Sequence, residues 1–384
     1  MQDVNIMNIV RDATQLIKNK IVAQKVVIII GARRVGKTVL VNEILKTVNE
    51  PVLVLNGEDI LVHQKLALRS VENYRNLIGS YRFLYIDEAQ KIPDIGNKLK
   101  LMIDEISGLK IVITGSSALG INKNTGEPLT GRKHTFKLYP FSENEYNQLE
   151  NTFVKNEKVK ERLIYGNYPE LIHIKDQRDK AEYLNDLVSS YLLKDILAYE
   201  NIENSQKIFN LLRLVAFQIG GEVSYQELGK TLGISKNTVE KYLDLMQKVF
   251  ILKKVEGFSR NLRKEITKSS RWYFLDNGIR NSIIANFNDL DSRNDVAQLW
   301  ENYLVAERLK FQQYTRMSSN NYFWRTYTQQ EIDWVEERGG KLFGYEFKWK
   351  NTNVKPPSLW QKTYPNATFE VIHQDNFSQW LNIE

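Results

Sequence analysis

The chain has 384 residues, more than one hydrophobic core usually supports, so two or three domains are expected. Its 42% hydrophobic and 26% charged residues sit near globular averages and exclude a disordered or collagen-like chain. The lack of cysteine excludes disulfides, thiolate zinc sites, iron-sulfur clusters and a cysteine nucleophile, while the net charge of +7 keeps nucleic acid open as a partner.

His63, His134, His173 and His373 are scattered without metal-ligand spacing and read as surface or packing residues. Met1 to Lys20 mixes Asp3, Arg11 and Asp12 among its apolar positions, unlike a signal peptide. The longest apolar runs, such as Val26 to Ile30, are of strand length and too short for a bilayer. A cytoplasmic protein with no membrane partner is the expectation.

In chain order, apolar runs rich in branched residues come at Val26 to Ile30, Val52 to Leu55, Phe83 to Ile86 and Ile111 to Ile113. Helix-length segments separate them, and a further strand is expected from His134 to Leu138, before Pro140. This is the pattern of an α/β domain with a mostly parallel sheet buried on both faces, expected over residues 1–141.

Directly after the first strand, Gly31-Ala32-Arg33-Arg34-Val35-Gly36-Lys37-Thr38 matches G-x-x-x-x-G-K-[ST] and opens a helical run, Thr38 to Val48. In such a loop the backbone N–H groups from Gly31 to Gly36 curl around phosphate oxygens. Lys37 reaches the β- and γ-phosphates of ATP, and Thr38 ligates Mg²⁺. Phe83-Leu84-Tyr85-Ile86-Asp87-Glu88 answers this loop. Its buried strand would present Asp87 for Mg²⁺ and Glu88 to orient and deprotonate the attacking water. An ordinary strand end capped by acids is the plainer reading. Ser116, in Thr114-Gly115-Ser116-Ser117, ends the next strand and is the candidate γ-phosphate sensor, with loop hydrogen bonding as the alternative. Arg132, in Leu129-Thr130-Gly131-Arg132, is a candidate to stabilise transition-state charge in cis or in trans, with a surface arginine as the alternative.

Residues 142–204 turn helical and are expected to form a lid or spacer, with Tyr165-Gly166-Asn167-Tyr168-Pro169 as a turn between helices. Over 205–280 the reading is three helices and a strand pair. Glu222 to Ser235 gives a helix, a glycine-containing turn and a cap, and from Lys236 to Lys248 Val239, Tyr242, Leu243 and Met246 share one helix face. This is helix-turn-helix grammar, with Lys236, Asn237 and Lys241 near the front of a recognition helix. Phe250 to Val255 and Arg271 to Leu275 would form a wing. Ile251 to Trp272 carries 7 basic and 2 acidic residues, so Arg260, Arg263, Lys264 and Lys268 are candidate DNA phosphate contacts. A protein-docking module is the alternative.

Over 281–384, Glu301 lies on a helix, Leu299 to Phe311, followed by Tyr322 to Arg325, Glu331 to Val335 and Gly344 to Lys348. Strand alternation puts Glu346 and Lys348 on one face. Asp333 and Glu346 would then hold a divalent metal while Lys348 positions a water, as phosphodiester hydrolysis requires. A structural Glu346–Lys348 pair is the rival.

Taken together, the phosphate loop, Ile86-Asp87-Glu88-Ala89-Gln90, Thr114-Gly115-Ser116-Ser117, Leu129-Thr130-Gly131-Arg132 and Tyr165-Gly166-Asn167-Tyr168-Pro169-Glu170 resemble the prokaryotic AAA-type ATPases that carry a carboxy-terminal domain of unknown function. The resemblance covers nearly the whole chain. It implies a P-loop ATPase with an extra catalytic glutamate, matched by Glu88, then a winged helix and a restriction-endonuclease-like α/β domain with the Asp … Glu-x-Lys signature. Ser116 stands where many of the wider superfamily place Asn, and no standard second arginine sensor is visible, so a hexameric ring is not implied. Two functions remain. One is a Mg²⁺-dependent ATPase that recognises DNA and cleaves it through the terminal domain. The other is an ATP-dependent switch whose terminal domains bind a protein partner and whose nuclease fold is inactive; a homo-oligomer is open in either case.

Overall fold

Five consecutive branched residues, Val26–Ile30, form β1, and none is more than 1% exposed. Only a strand covered on both faces buries every residue in such a run. The computed structural model describes residues 9–116, 129–150, 155–192, 205–259 and 270–383, which divide into two units, Met1–Phe141 and Ser142–Glu384.

In the first unit β1 joins β2 (Val52–Asn56), β3 (Phe83–Asp87), β4 (Lys110–Gly115) and β5 (Lys133–Lys137) in the order β2-β3-β4-β1-β5. Every neighbouring pair is parallel. Parallel pairing requires crossovers, supplied by helices Lys37–Leu45, Ile60–Ala67, Val71–Ile78 and Ile95–Glu105. The edge strands β2 and β5 are only half-buried, and β5 hides Phe136 alone. The register sets Ile30 beside Gly115 and Asn56 beside Asp87. The carboxyl ends of β1, β3 and β4 therefore open on the same edge of the sheet.

The second unit begins with helices Glu143–Tyr146, Lys155–Tyr165 and Gln177–Leu187. Helices Ser205–Phe217, Tyr225–Leu232 and Lys236–Lys248 come next, then β7 (Leu252–Gly257) antiparallel to β8 (Ser270–Phe274). Gly229 allows the turn between the second and third of these helices, because a Cβ there would lie 2.7 Å from the Ile234 carbonyl oxygen. The strand pair continues into a larger sheet. With β6 (Glu222–Val223), β9 (Asn320–Arg325), β10 (Glu331–Arg338), β11 (Lys341–Phe347) and β12 (Thr368–Ile372) it runs β12-β11-β10-β9-β7-β8-β6. Lys348 falls one residue beyond β11.

Helix Val296–Thr315 packs on this sheet and buries Asn302, Glu307, Arg308, Lys310 and Gln312 along with its apolar residues. Each buried polar group named here has a partner, as interiors demand. Asn302 reads the β8 backbone as a strand would, accepting from Phe274 N at 2.7 Å and donating to Phe274 O at 3.0 Å. Arg308 makes a two-pronged pair with Glu336 on β10 at 2.6 and 3.0 Å.

The turn after helix Lys155–Tyr165 is held by Asp276. Its carboxylate accepts from Asn167 N at 2.7 Å and caps helix Asn277–Ile283 through Ile279 N at 3.1 Å. Burial raises the Asp276 pKa, and these N–H groups oppose the rise. Asn281 donates to the Leu163 and Ile164 carbonyls, so the helix end meets side chains in place of water. Gly166 has φ +76°, and a Cβ there would lie 2.1 Å from Asp276 Oδ1. Gly340, with φ +75°, faces open space. Gly166→Ala is therefore expected to cost about 2–4 kcal/mol and Gly340→Ala about 1 kcal/mol. Equal melting temperatures for the two variants would contradict the Asp276 contact.

Candidate functional site

The loop between β1 and helix Lys37–Leu45 turns on Gly36, φ +90°, which stands at the helix amino terminus. Gly31 is fixed by contact, since a Cβ would lie 2.2 Å from the Leu138 carbonyl oxygen. Arg34 takes left-handed φ, +61°, a conformation that costs a side-chain-bearing residue. Ala32 and Val35 are buried, Arg33 is half-buried and Arg34 is exposed. Lys37, only 5% exposed, folds back over the loop and donates to the Gly31 and Ala32 carbonyls at 3.0 and 2.8 Å. Thr38 stands exposed in the first helical turn.

The two distant motifs meet at Asp87. Thr38 Oγ1 donates to Asp87 Oδ2 at 3.0 Å, and Thr114 Oγ1 donates to Asp87 Oδ1. Thr114 also accepts from Glu88 N at 3.3 Å. Glu88 leaves β3 in left-handed conformation, φ +46°, which swings its side chain out of the strand's alternation. Gln90 then ties the region together, donating to Glu88 Oε2 and to Ser116 Oγ, the latter at 3.0 Å. A hydroxyl and a carboxylate, a lysine above phosphate-sized curvature and a carboxylate held by an amide are the donor set that Mg²⁺ and a triphosphate require.

The structure thus brings Lys37, Thr38, Asp87, Glu88 and Ser116 to one edge of the sheet. Arg132 is not among them. It precedes β5 at the opposite end, where its carbonyl accepts from Val26 N at 2.9 Å and its guanidinium pairs with Asp104. A five-residue strand, roughly 15 Å, separates that end from the phosphate loop. Sequence reading missed Arg11, Thr114 and Gln90. Arg11 is buried, donates to Val35 O at 2.6 Å and Tyr139 O at 2.7 Å, and lies 4.8 Å from the Phe141 ring. It pins the middle of the phosphate loop to the segment after β5. In the sequence it is one charge among amino-terminal apolar positions, and only its place between such positions hints at burial.

In the second unit, Glu301, Asp333, Glu346 and Lys348 do converge, but Glu301 and Asp333 face Arg271 while Glu346 faces Lys348. This arginine is 5% exposed at its side chain, pairs with Glu331 at 3.0 Å, Glu301 at 3.4 Å and Asp333 at 3.6 Å, and lies over the Phe323 ring at 4.7 Å. Tyr273 also donates to Glu301, at 2.7 Å, and Phe347 N donates to Asp333 at 2.9 Å. Lys348 pairs with Glu346 at 2.7 Å. Burial and the neighbouring Asp333 charge push the Glu301 carboxyl up to about 8 and that of Glu346 to about 7. Burial also raises Asp333. Lys348 is raised as well, because burial is outweighed by the hydrogen bond and charge of Glu346. Among the described residues, no group of three or more His, Cys, Asp and Glu side chains is spaced to hold a metal ion. Of the expected Asp333–Glu346 metal pair, Asp333 thus faces the Arg271 guanidinium, a cation that the sequence pattern did not include, and Glu346 faces Lys348.

Lys236, Asn237 and Lys241 are exposed on helix Lys236–Lys248, whose opposite face buries Val239, Leu243, Leu245 and Met246. Arg260, Arg263, Lys264 and Lys268 lie outside the described residues. No described helix is long and apolar enough to cross a membrane.

Residues 23–147 match the family model of an AAA domain. Residues 156–290 and 297–368 match two models, each described as a domain of unknown function (DUF8612 and DUF4143). An uncharacterized protein of Mycobacterium tuberculosis is 22% identical over 348 residues, 89% of this chain and 74% of that one. An uncharacterized protein of Haemophilus influenzae is 24% identical over 296 residues, 67% of this chain and 69% of its own. Among solved structures, a RuvB mutant of Thermotoga maritima aligns with TM-score 0.31 and 16% identity, covering 63% of this chain and 86% of that one. A signal transduction ATPase with numerous domains from Pyrococcus horikoshii gives 0.27 and 16%, covering 78% and 46%. TM-scores of this size carry no argument. The AAA match falls on the unit that holds the phosphate loop, and it supports an AAA-type P-loop ATPase domain there.

Proposed function

We propose that this chain is a Mg²⁺-dependent ATPase whose second unit recognises DNA. The observation that carries the ATPase reading is the Thr38–Asp87 hydrogen bond, which joins phosphate loop and acidic strand end across 49 positions of sequence. Bound with ATP, Mg²⁺ would neutralise phosphate charge. Thr38 and Asp87 are the residues suited to hold it, and Lys37 and the backbone of Gly31 to Thr38 to hold the phosphates. Glu88, kept in place by Gln90, orients and deprotonates the attacking water. Ser116 shares the same Gln90 amide and is suited to report on the γ-phosphate. Arg132 acts, in this reading, only on a nucleotide held by a second copy of the chain. Lys37→Ala is expected to abolish the rise in melting temperature on adding ATP and Mg²⁺. Glu88→Gln should keep that rise and lower turnover by about 10²–10⁴-fold. Wild-type turnover in Glu88→Gln would remove Glu88 from the site.

For residues 142–204 we read a helical lid, for 205–280 a winged helix and for 281–384 a nuclease-like domain. The exposed Lys236, Asn237 and Lys241 favour DNA as the partner of the second region. Changing Lys236 and Lys241 together to Glu should weaken DNA binding across sequences and lower the salt slope by about 2. A slope unchanged from wild type would favour a protein-docking module.

For the terminal region Arg271 favours an inactive nuclease fold over metal-dependent cleavage by Glu301, Asp333, Glu346 and Lys348. The guanidinium already pairs with Glu301 and Asp333, and Lys348 with Glu346. In Lys37→Ala protein, which removes the ATP-site contribution, millimolar Mg²⁺ or Mn²⁺ is expected to leave the melting temperature unchanged and DNA uncut. A metal-dependent rise that vanishes in the added Asp333→Ala background would restore the nuclease reading.

A further inference from the structure

Strand β3 places Tyr85 on the same face as Asp87, two residues on. The residue is 1% exposed, and its hydroxyl is buried without a hydrogen-bond partner. It lies near Thr114, Asp87 and Thr38, the three side chains that meet at the candidate metal position, without a well-formed hydrogen bond to any of them. A phenol hydroxyl can both donate and accept.

An unpaired buried hydroxyl costs about 1–3 kcal/mol. Phe83, Leu84 and Ile86 fill the neighbouring strand positions with no polar atom, so packing alone gives no reason for a phenol here. Asp87 accepts one hydrogen bond on each oxygen, from Thr38 and Thr114, and a carboxylate has room for more. The hydroxyl therefore faces an acceptor that is only partly used, in the one place where a bound cation would bring water.

We propose that Tyr85 is a positioning residue of the Mg²⁺–ATP site, its hydroxyl donating to Asp87 and accepting from a cation-bound water once the divalent ion is in place. The proposal rests on the ATPase reading above. Outer partners of this kind orient a metal's ligands and tune affinity by about 10–100-fold when removed. The role concerns the cation and leaves nucleotide contact to the phosphate loop.

Tyr85→Phe removes one oxygen and keeps the ring. In full-length protein, ATPase rate against free Mg²⁺ at saturating ATP should show half-saturation raised about tenfold. KM for ATP at saturating Mg²⁺ should stay within about twofold, and the melting temperature without Mg²⁺ should be unchanged or higher, because an unpaired buried group has been removed. Tyr85→Leu, which loses the ring too, should lower the melting temperature and raise the Mg²⁺ requirement by the same factor. An active Tyr85→Phe enzyme with wild-type Mg²⁺ dependence overturns the proposal, as does a lower melting temperature in metal-free buffer with no change in Mg²⁺ half-saturation. A wild-type protein without Mg²⁺-dependent ATPase activity would overturn the ATPase reading itself, a result separable from either.

Discussion

The candidate nucleotide site depends on one carboxylate. Asp87 receives Thr38 from the first turn of the helix after β1 and Thr114 from β4. Those contacts are possible because the parallel register brings the ends of three strands level. Slipping one strand by a residue would turn every side chain to the other face and separate the hydroxyls from the acid. The fully buried apolar β1 is what makes such a slip costly: five branched side chains, at about 1.5–3 kcal/mol each, hold the register that the polar residues then use.

The second unit solves a different problem with similar means. Its long helix is buried around much of its circumference, so polar side chains cannot be left to solvent. They are placed against backbone and ionic partners instead. Asn302 completes the bonding of Phe274, Arg308 grips Glu336, and Asp276 closes a helix end and a turn together. Polar networks of this type cost little when every member is satisfied and a great deal when one is lost. This explains why Gly166 and Asp276, far apart in sequence, constrain each other.

How much could be read from the sequence depends on the range of each signal. The five strands of the first sheet, the phosphate loop and Asp87–Glu88 were legible because each is a local pattern with a physical period or spacing. The three helices and strand pair after Ser205 were legible for the same reason. Arg11, Thr114 and Gln90 were not, because their roles come from contacts with residues up to 128 positions away. Arg132 is the reverse case. Its motif was visible, but only the direction of β5 reveals that it stands at the far end of the sheet. Nor could the pattern around Asp333, Glu346 and Lys348 disclose Arg271, which arrives on β8 from some 60 residues upstream.

That arginine alters what the terminal carboxylates can do. Glu301, Asp333 and Glu346 are crowded and buried, and burial, joined at Glu301 and Glu346 by the Asp333 charge, pushes each carboxyl toward its neutral form. A divalent ion is one remedy for such crowding, and a buried cationic side chain is another. Here Arg271 sits on a strand in which every residue is buried, stacks on Phe323 and spreads its charge over three acids. To admit a metal, this guanidinium would have to leave carboxylate and aromatic partners together, and breaking a buried pair of this kind costs about 3–5 kcal/mol. The cluster ties β8, β10 and the long helix together. Two of the acids that read as catalytic along the chain, Glu301 and Asp333, meet in three dimensions at a buried arginine.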